Sequence, residues 1–542
     1  MVQKKRALLY LPFVIVFCSL LGGLYGPRVE VASAANEDDI RSSLKVFTKV
    51  YNVVEENFAD PVLPDKSIYK GAIPGMLRTL DPHSNFFDPR DFQLLREDQK
   101  GHYYGVGMTV AERNHKTIVI SPFAGSPAYK AGIRPGDVIM TVNDKSTENL
   151  TTTEVADMLK GPRGTQVQIV IAREGADKPV TFNVIRDEIP RKSVPDAIWV
   201  KPGVAYMDIE QFNETTSPEI EENLKRLGEN NIKGLILDLR ENPGGLLNEG
   251  VAVADRFLRK GQEIVSHYGR NSPKKSYVAR HGNGNHDYPI VVLVNRFSAS
   301  AAEIVSGALQ DHDRAWILGE NTFGKGLVQT VYPLQENTGL ALTTAKYYTP
   351  SGRLIQRDYS HTSFFDYYNH KDLDSKNMQD VKMTDGGRTV YGGGGISPDE
   401  KYTPPKFNAF QRQLLTKFAF FNFSKHYFGK NGIMLPPNWT PDQNIMTEFH
   451  AFLLEPEQGI QFTEAEFAEN NDWIKRFLRK EMYIAAFSVD ESRRITVETD
   501  PMVEKAVESL PKAKTLLESA KKVIDRRLVR TPKQSEGERA SK

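Results

Sequence analysis

Short apolar runs recur through the second half of this chain, and they constrain its fold more than any other feature. Ile290 to Val294, IVVLV, is the clearest and reads as a buried strand. Ala315 to Gly319, Gly234 to Arg240 (GLILDLR) and Val204 to Ile209 read the same way. Between them the apolar spacing turns helical, over Thr216 to Gly228 and again from Ala301, where Ile304, Val305, Ala308 and Leu309 share one face. Strand, helix, strand, helix in this order specifies an α/β layered core.

The polar residues at the breaks are those that can do chemistry. Asn295 to Ser300 is a small loop ahead of a helix, so Ser300 can be exposed and rigid with helix N–H groups beside it. After Ala315 to Gly319 comes a glycine-flanked lysine, Gly324-Lys325-Gly326, and then Gln329. A serine hydroxyl is a weak nucleophile and needs a base. A lysine amine serves if burial removes its proton, and the Gln329 amide oxygen can hold that amine. Positions four apart in an extended strand lie roughly 13 Å from each other, so Lys325 and Gln329 meet only if the chain turns, which Gly326 eases. The strand Gly234 to Arg240 breaks at Glu241-Asn242-Pro243-Gly244-Gly245, where adjacent glycines let backbone N–H groups converge on an anion. Each feature also has an ordinary reading: a serine before a helix caps it, and Gly-Lys-Gly turns at a surface.

Taken together, FSASAAEI, FGKGLVQT, DLRENPGG and LTTAKYYTPSGR resemble the carboxyl-terminal processing peptidases, or tail-specific proteases. The resemblance implies a crotonase-like α/β core shared with the Clp peptidases and a Ser–Lys–Gln site on Ser300, Lys325 and Gln329. It puts the nucleophile on the second serine of Ser298-Ala299-Ser300. It implies oxyanion donors at the N–H of Gly245 (or Gly244) and of Ala301. Asp238 and Arg240 read as a structural pair. His312 lies twelve residues past Ser300 at the far end of a helix, about 18 Å away along it, which argues against a Ser–His pair.

Tyr103 to about Asp187 resembles a PDZ domain, through Tyr104-Gly105-Val106-Gly107 and the segment SPAYKAGIRPGDVI from Ser126. The resemblance implies that Tyr104, Gly105, Val106 and Gly107 form a carboxylate-binding loop beside an edge strand near Met108 that accepts an extended peptide. The competing reading is that Gly105 and Gly107 only shape a turn.

A chain of 542 residues exceeds one compact core. The expected division is a leader over 1–34, a helical region over 37–100, the PDZ domain over 103–188, the peptidase core over 194–400, a helical region over 405–527 and a polar, disordered tail over 528–542. A net charge of +1 argues against nucleic-acid partners. Cys18 is the only cysteine, so no intramolecular disulfide or cysteine-based metal site can form. His281 and His286 lack metal-ligand context, and neither a metal nor a cofactor is expected. Lys4, Lys5 and Arg6 precede an apolar run from Ala7 to about Gly26, followed by Ala32-Ser33-Ala34, the pattern of a secretory signal, with an uncleaved membrane anchor as its rival. Either places the working domains outside the cytoplasm, in a periplasm or on the outer face of the membrane. His83, in Asp81-Pro82-His83-Ser84, reads as a turn side chain. Arg357 to Arg388 is aromatic and charged without a period, and reads as surface packing. The apolar stripes beyond Phe407 read as packing or homodimer surfaces. The expectation is an exported serine endopeptidase that takes protein or peptide substrates by a free C-terminus. Its rivals are a PDZ-bearing scaffold with an inactive core and a Ser–His hydrolase.

Overall fold

The computed structural model describes residues 37–530 except 114, 196, 370–376, 433 and 437. The leader over 1–34, with Cys18, and the tail beyond 530 lie outside the described residues, so the helix that reaches Arg530 replaces the first residues expected of the tail. No helix among the described residues is long and apolar enough to cross a membrane.

Two units divide near Met76. The first holds the helix Glu37–Asn57, which leaves Leu44, Val46, Val50 and Val53 exposed. After it the chain forms a wide π-helical turn, Asp65–Ala72, and then the helix Ile73–Arg78. The change of pitch falls at Pro74, which has no N–H to give a regular helical ladder.

In the second unit, the PDZ region is a sheet in the order Met108–Arg113, Lys116–Pro122, Val138–Val142, Gln166–Ala172, Val180–Ile185. The helices Pro127–Ala131 and Thr152–Leu159 complete it. Alternate residues Val167, Ile169 and Ile171 are fully buried with Val119, Val142 and Val155, as period-two alternation requires. Met108–Arg113 pairs on one side only and forms the sheet's edge. A two-stranded ribbon, His102–Gly105 with Asp187–Pro190, closes the base of the region.

The core sheet has six strands, ordered Ala197–Lys201, Val204–Asp208, Gly234–Asp238, Ile290–Val294, Ala315–Gly319, Glu400–Lys401. The first pair is antiparallel and the others parallel. Every residue of Gly234–Asp238 and Ile290–Val294 is buried, because helices cover both faces. Thr216–Leu227, Leu247–Phe257 and Ala301–Asp311 supply one layer. The other is the helix Pro501–Arg530, whose Met502, Val503, Ala506, Leu510 and Ala513 pack on Tyr206, Ile236, Val291, Leu293 and Leu318. A boundary at residue 400 therefore does not separate two cores: the final helix is a layer of the α/β sandwich. Arg240 reinforces the join, pairing with Asp238 (2.6 Å) and Asp500 (2.8 Å), while Tyr206 donates to Asp238 (2.8 Å). The helices between residues 409 and 486 gather their own aromatic core, with Phe420 stacked on Phe449 at 5.3 Å and Phe423 edge-on to it at 5.1 Å.

A second, five-stranded antiparallel sheet frames the site. Its long strand Gly339–Tyr348 pairs with Asn85–Phe87, Glu263–Gly269 and Leu327–Pro333, and the hairpin strand Ser272–Val278 extends it.

Candidate active site

Ser300 stands at the head of the helix Ala301–Asp311 with φ 54° and ψ −112°, a conformation that costs a non-glycine residue about 1–3 kcal/mol. The surroundings enforce it. The Ser300 N–H donates to the Glu303 carboxylate (2.9 Å), and the Ala299 N–H donates to the Asn242 carbonyl (2.9 Å). Gly244 lies directly under the serine: a Cβ there would stand 2.7 Å from both the Ala299 carbonyl oxygen and the Ser300 Cβ. Ser298 is fully buried; its hydroxyl donates to the Leu239 carbonyl (2.7 Å) and accepts from the Asn295 N–H (2.9 Å). It braces the loop, while Ser300 opens onto a cavity of about 470 Å³.

Lys325 and Gln329 line the same cavity. The Lys325 Nζ donates to the Gln329 Oε1 at 2.8 Å. Four positions along a straight strand could not meet; Lys325 precedes the strand Leu327–Pro333, and a bulge between Val328 and Gln329 re-aims the glutamine. Burial lowers the lysine pKa from its ordinary value, against the opposing pull of Glu303 and Asp81. The Tyr347 hydroxyl lies 2.6 Å from the Lys325 carbonyl and 3.1 Å from that of Ser300.

Glu303 is the residue the sequence reading overlooked. It is fully buried, and its carboxylate accepts from the N–H groups of Ser300 (2.9 Å), Gly324 (2.8 Å) and Lys325 (2.9 Å) and from the Thr322 hydroxyl (2.5 Å). One buried anion thus joins the serine loop to the lysine loop. Burial pushes its pKa up while the four donors oppose the shift. Ser300-x-x-Glu303 has capping-box spacing, a signal that could have drawn attention to it.

His83 is more than a turn side chain. Its carbonyl accepts from the Gln329 Nε2 at 2.6 Å, and it lines the cavity. Its imidazole packs edge-on against Phe323, Tyr367 and Tyr368, and burial, then the lysine charge, lowers its pKa to about 4. His312 lies elsewhere, bonded to Asp385 (2.8 Å) and the Glu263 carbonyl (2.7 Å). His281 pairs with Asp255 and His286 with Glu229. Among the described residues no cluster of His, Cys, Asp and Glu could hold a metal.

The two proposed anion donors differ in availability from their neighbour. Gly244 gives its N–H to the Asn242 Oδ1 (2.8 Å), whereas the N–H groups of Gly245 and Ala301 have no acceptor among the described residues. Gly245, at φ 142°, has its α-carbon against the Phe212 carbonyl, which a Cβ would meet at 2.0 Å. In the PDZ region, Tyr104 and Gly105 belong to the basal ribbon, with Gly105 opposite Asp187, and so are not part of an open loop. Val106 and Gly107 are: neither N–H has an acceptor among the described residues. Gly107, at φ 77°, turns its carbonyl to the Ser126 hydroxyl (2.7 Å).

A larger cavity, about 870 Å³, lies at the carboxyl ends of the core strands. Within it Arg240 pairs with Asp238 and Asp500, and Arg493 with Asp208 and Glu210. Ser492 and Lys480 also line it, with no hydrogen bond between them among the described residues, whereas the smaller cavity brings Ser300, Lys325 and Gln329 together.

Residues 203–360 match peptidase family S41 and residues 118–173 match the PDZ domain. The carboxy-terminal-processing protease of Bartonella bacilliformis is 41% identical over 326 residues, 59% of this chain and 74% of its own. The carboxyl-terminal-processing protease of Synechocystis is 36% identical over 311 residues, 56% of this chain and 72% of its own. The carboxy-terminal processing protease CtpA of Bacillus subtilis is 33% identical over 317 residues, 58% and 67%. Among solved structures, the photosystem II D1 C-terminal processing protease is 28% identical and covers 68% of this chain and 89% of its own, with a TM-score of 0.34. The chain belongs to the carboxy-terminal-processing proteases, serine peptidases of family S41 that carry a PDZ domain.

Proposed function

We propose that the chain is an exported endopeptidase that takes the C-terminal tail of a protein on its PDZ domain and cuts upstream with Ser300, Lys325 and Gln329. The observation that carries the reading is the desolvated Lys325 amine, held by Gln329 in the cavity onto which Ser300 opens. The neutral amine accepts the Ser300 proton as the oxygen adds to the scissile carbonyl. The oxyanion that forms is held by the N–H groups of Gly245 and Ala301. Lys325 then returns the proton to the leaving amine, and water repeats the sequence to release the acyl group. The free N–H groups of Val106 and Gly107, beside the edge strand Met108–Arg113, suit a terminal carboxylate with a strand-like tail. Export rests on the basic and apolar leader.

The test is cleavage of an unstructured protein by wild type, Ser300→Ala and Lys325→Ala. Loss in both variants, with wild-type activity rising towards alkaline pH, is expected. Cleavage that survives without Lys325 would remove the mechanism. Binding of a tail peptide with no cleavage by any form would favour the scaffold. Amino-terminal sequencing of the exported product distinguishes a cut leader from a retained anchor.

A further inference from the structure

We propose that Tyr367 and His83 are positioning residues for the Lys325–Gln329 pair, acting through a closed hydrogen-bonded circuit that sets which way the Gln329 amide faces; the proposal rests on the Ser300–Lys325–Gln329 reading above. The two ends of a glutamine amide are nearly the same shape but opposite in function. Only one orientation places the oxygen on the lysine. A backbone carbonyl can only accept, so the His83 carbonyl, 2.6 Å from the amide, takes the Nε2 end and leaves the Oε1 for Lys325 at 2.8 Å. Turned over, the amide would set its oxygen against a carbonyl oxygen and its NH2 against the amine. The location of one carbonyl therefore decides whether Gln329 supports the base.

That carbonyl is held from several sides. The Asp81 carboxylate accepts from the N–H groups of His83 (2.8 Å) and Ser84 (2.7 Å) and from the Ser84 hydroxyl (2.7 Å). The Ser84 hydroxyl in turn accepts from the Thr343 N–H (3.1 Å), and Thr343 is the register partner of Gln329. The Tyr368 hydroxyl donates to the Pro82 carbonyl (2.8 Å). The last restraint acts on the imidazole. The Tyr367 hydroxyl lies 2.9 Å from the His83 Nε2 and accepts from the Gln356 Nε2 (3.1 Å). The Gln356 Oε1 accepts from the Gly326 N–H (2.8 Å), the residue after Lys325. The path runs from Gly326 through Gln356, Tyr367, His83 and Gln329 and ends on Lys325. Tyr367 is only 2% exposed and comes from the short helix Phe364–Asn369, within the aromatic stretch read from sequence as surface packing. Buried aromatic hydroxyls need a partner, and this one has two. The charged and titratable groups around Lys325 and His83 are Glu303, Asp81, Arg357, Tyr347 and Tyr368, and replacing Tyr367 by phenylalanine alters none of them.

The test compares Tyr367→Phe and His83→Phe, each of which deletes one side of the same bond and keeps a ring. With an unstructured peptide substrate each lowers kcat about tenfold and leaves KM unchanged. The midpoint of the acid limb of kcat/KM moves to lower pH, because a reversed amide sets its NH2 against the ammonium form. Tyr367→Phe added to Gln329→Ala costs nothing more, since its effect runs through that amide. Wild-type kcat in both variants, an additive loss in the double variant, or a midpoint that moves up would overturn the proposal. Should Tyr367→Phe not fold, His83→Phe carries the same comparison, alone and with Gln329→Ala. Wild-type cleavage by Ser300→Ala would instead remove the underlying reading.

Discussion

Glu303→Gln is the most demanding test of how the loops that carry Ser300 and Lys325 are held. The Oε1 of Glu303 accepts from Thr322 and Gly324, and its Oε2 accepts from Ser300 and Lys325. In glutamine one of these oxygens becomes an NH2 group, which then faces two donors. Two bonds to a charged acceptor are lost at about 1.5–3 kcal/mol each, so roughly 3–6 kcal/mol in all. Relief from burying a charge offsets part of this, leaving a net loss of about 2–4 kcal/mol. Whichever orientation the amide takes, one side of the clamp opens. If it is the side of Ser300 and Lys325, the serine relaxes from φ 54° into an ordinary conformation. The expected result is a fall in kcat of about a hundredfold with KM little changed, and a lower urea midpoint. Glu303→Asp keeps the charge but withdraws it by one methylene and falls between the two. The assay is cleavage of a fluorogenic unstructured peptide, run beside labelling of Ser300 by a phosphonyl fluoride, which reports attack by the hydroxyl without the later hydrolysis of an acyl group. A folded Glu303→Gln protein with wild-type kcat and labelling rate would refute the claim that this carboxylate sets the serine.

Three further outcomes follow from the geometry. His83 is neutral in the native chain down to about pH 4 but takes a proton near pH 6.5 when unfolded, so it makes stability rise with pH across that window; roughly 3 kcal/mol is lost on acidification from pH 7 to 4, and urea unfolding of His83→Phe should lack that component. Gly244→Ala places a methyl group 2.7 Å from the Ser300 Cβ at a φ of 96°, and active-site titration should show at least a hundredfold loss of cleavage, whereas Ser298→Ala lowers the thermal midpoint and keeps the nucleophile. Ala506→Asp sets a charge in the fully buried apolar contact between the last helix and the sheet and should unfold the core, seen as loss of soluble protein and of near-ultraviolet dichroism.

The parts of the fold legible in sequence were those written locally. Ile290–Val294 and Ala315–Gly319 are uniformly apolar because both of their faces are covered, and such runs need no partner to be recognised as strands. Ser300, Lys325 and Gln329 stood out through short motifs. The missed features are joined across long stretches of chain. Gln329 meets the His83 carbonyl 246 positions away, and Arg240 meets Asp500 after 260. Neither Asp81-Pro82-His83-Ser84 nor the ring-rich stretch around Tyr367 has a period, because each is shaped by the other rather than by a face turned to a core. The reach from Lys325 to Gln329 depended on a bulge, and bulges leave no reliable mark in a strand pattern. The amphipathic stripe at Met502, Val503, Ala506 and Leu510 was visible, but a stripe does not say what it covers.

The helix that begins at Pro501 has a consequence for how the molecule is made. Val291, Leu293 and Leu318 are synthesised long before Met502 and Ala506 exist to shield them. Until those last turns arrive, one side of the sheet stays greasy and open, and long-range closure of this kind is slow and prone to self-association. A chain cut short before Pro501 would therefore leave this apolar side bare, and the fold is completed only when its last turns are made.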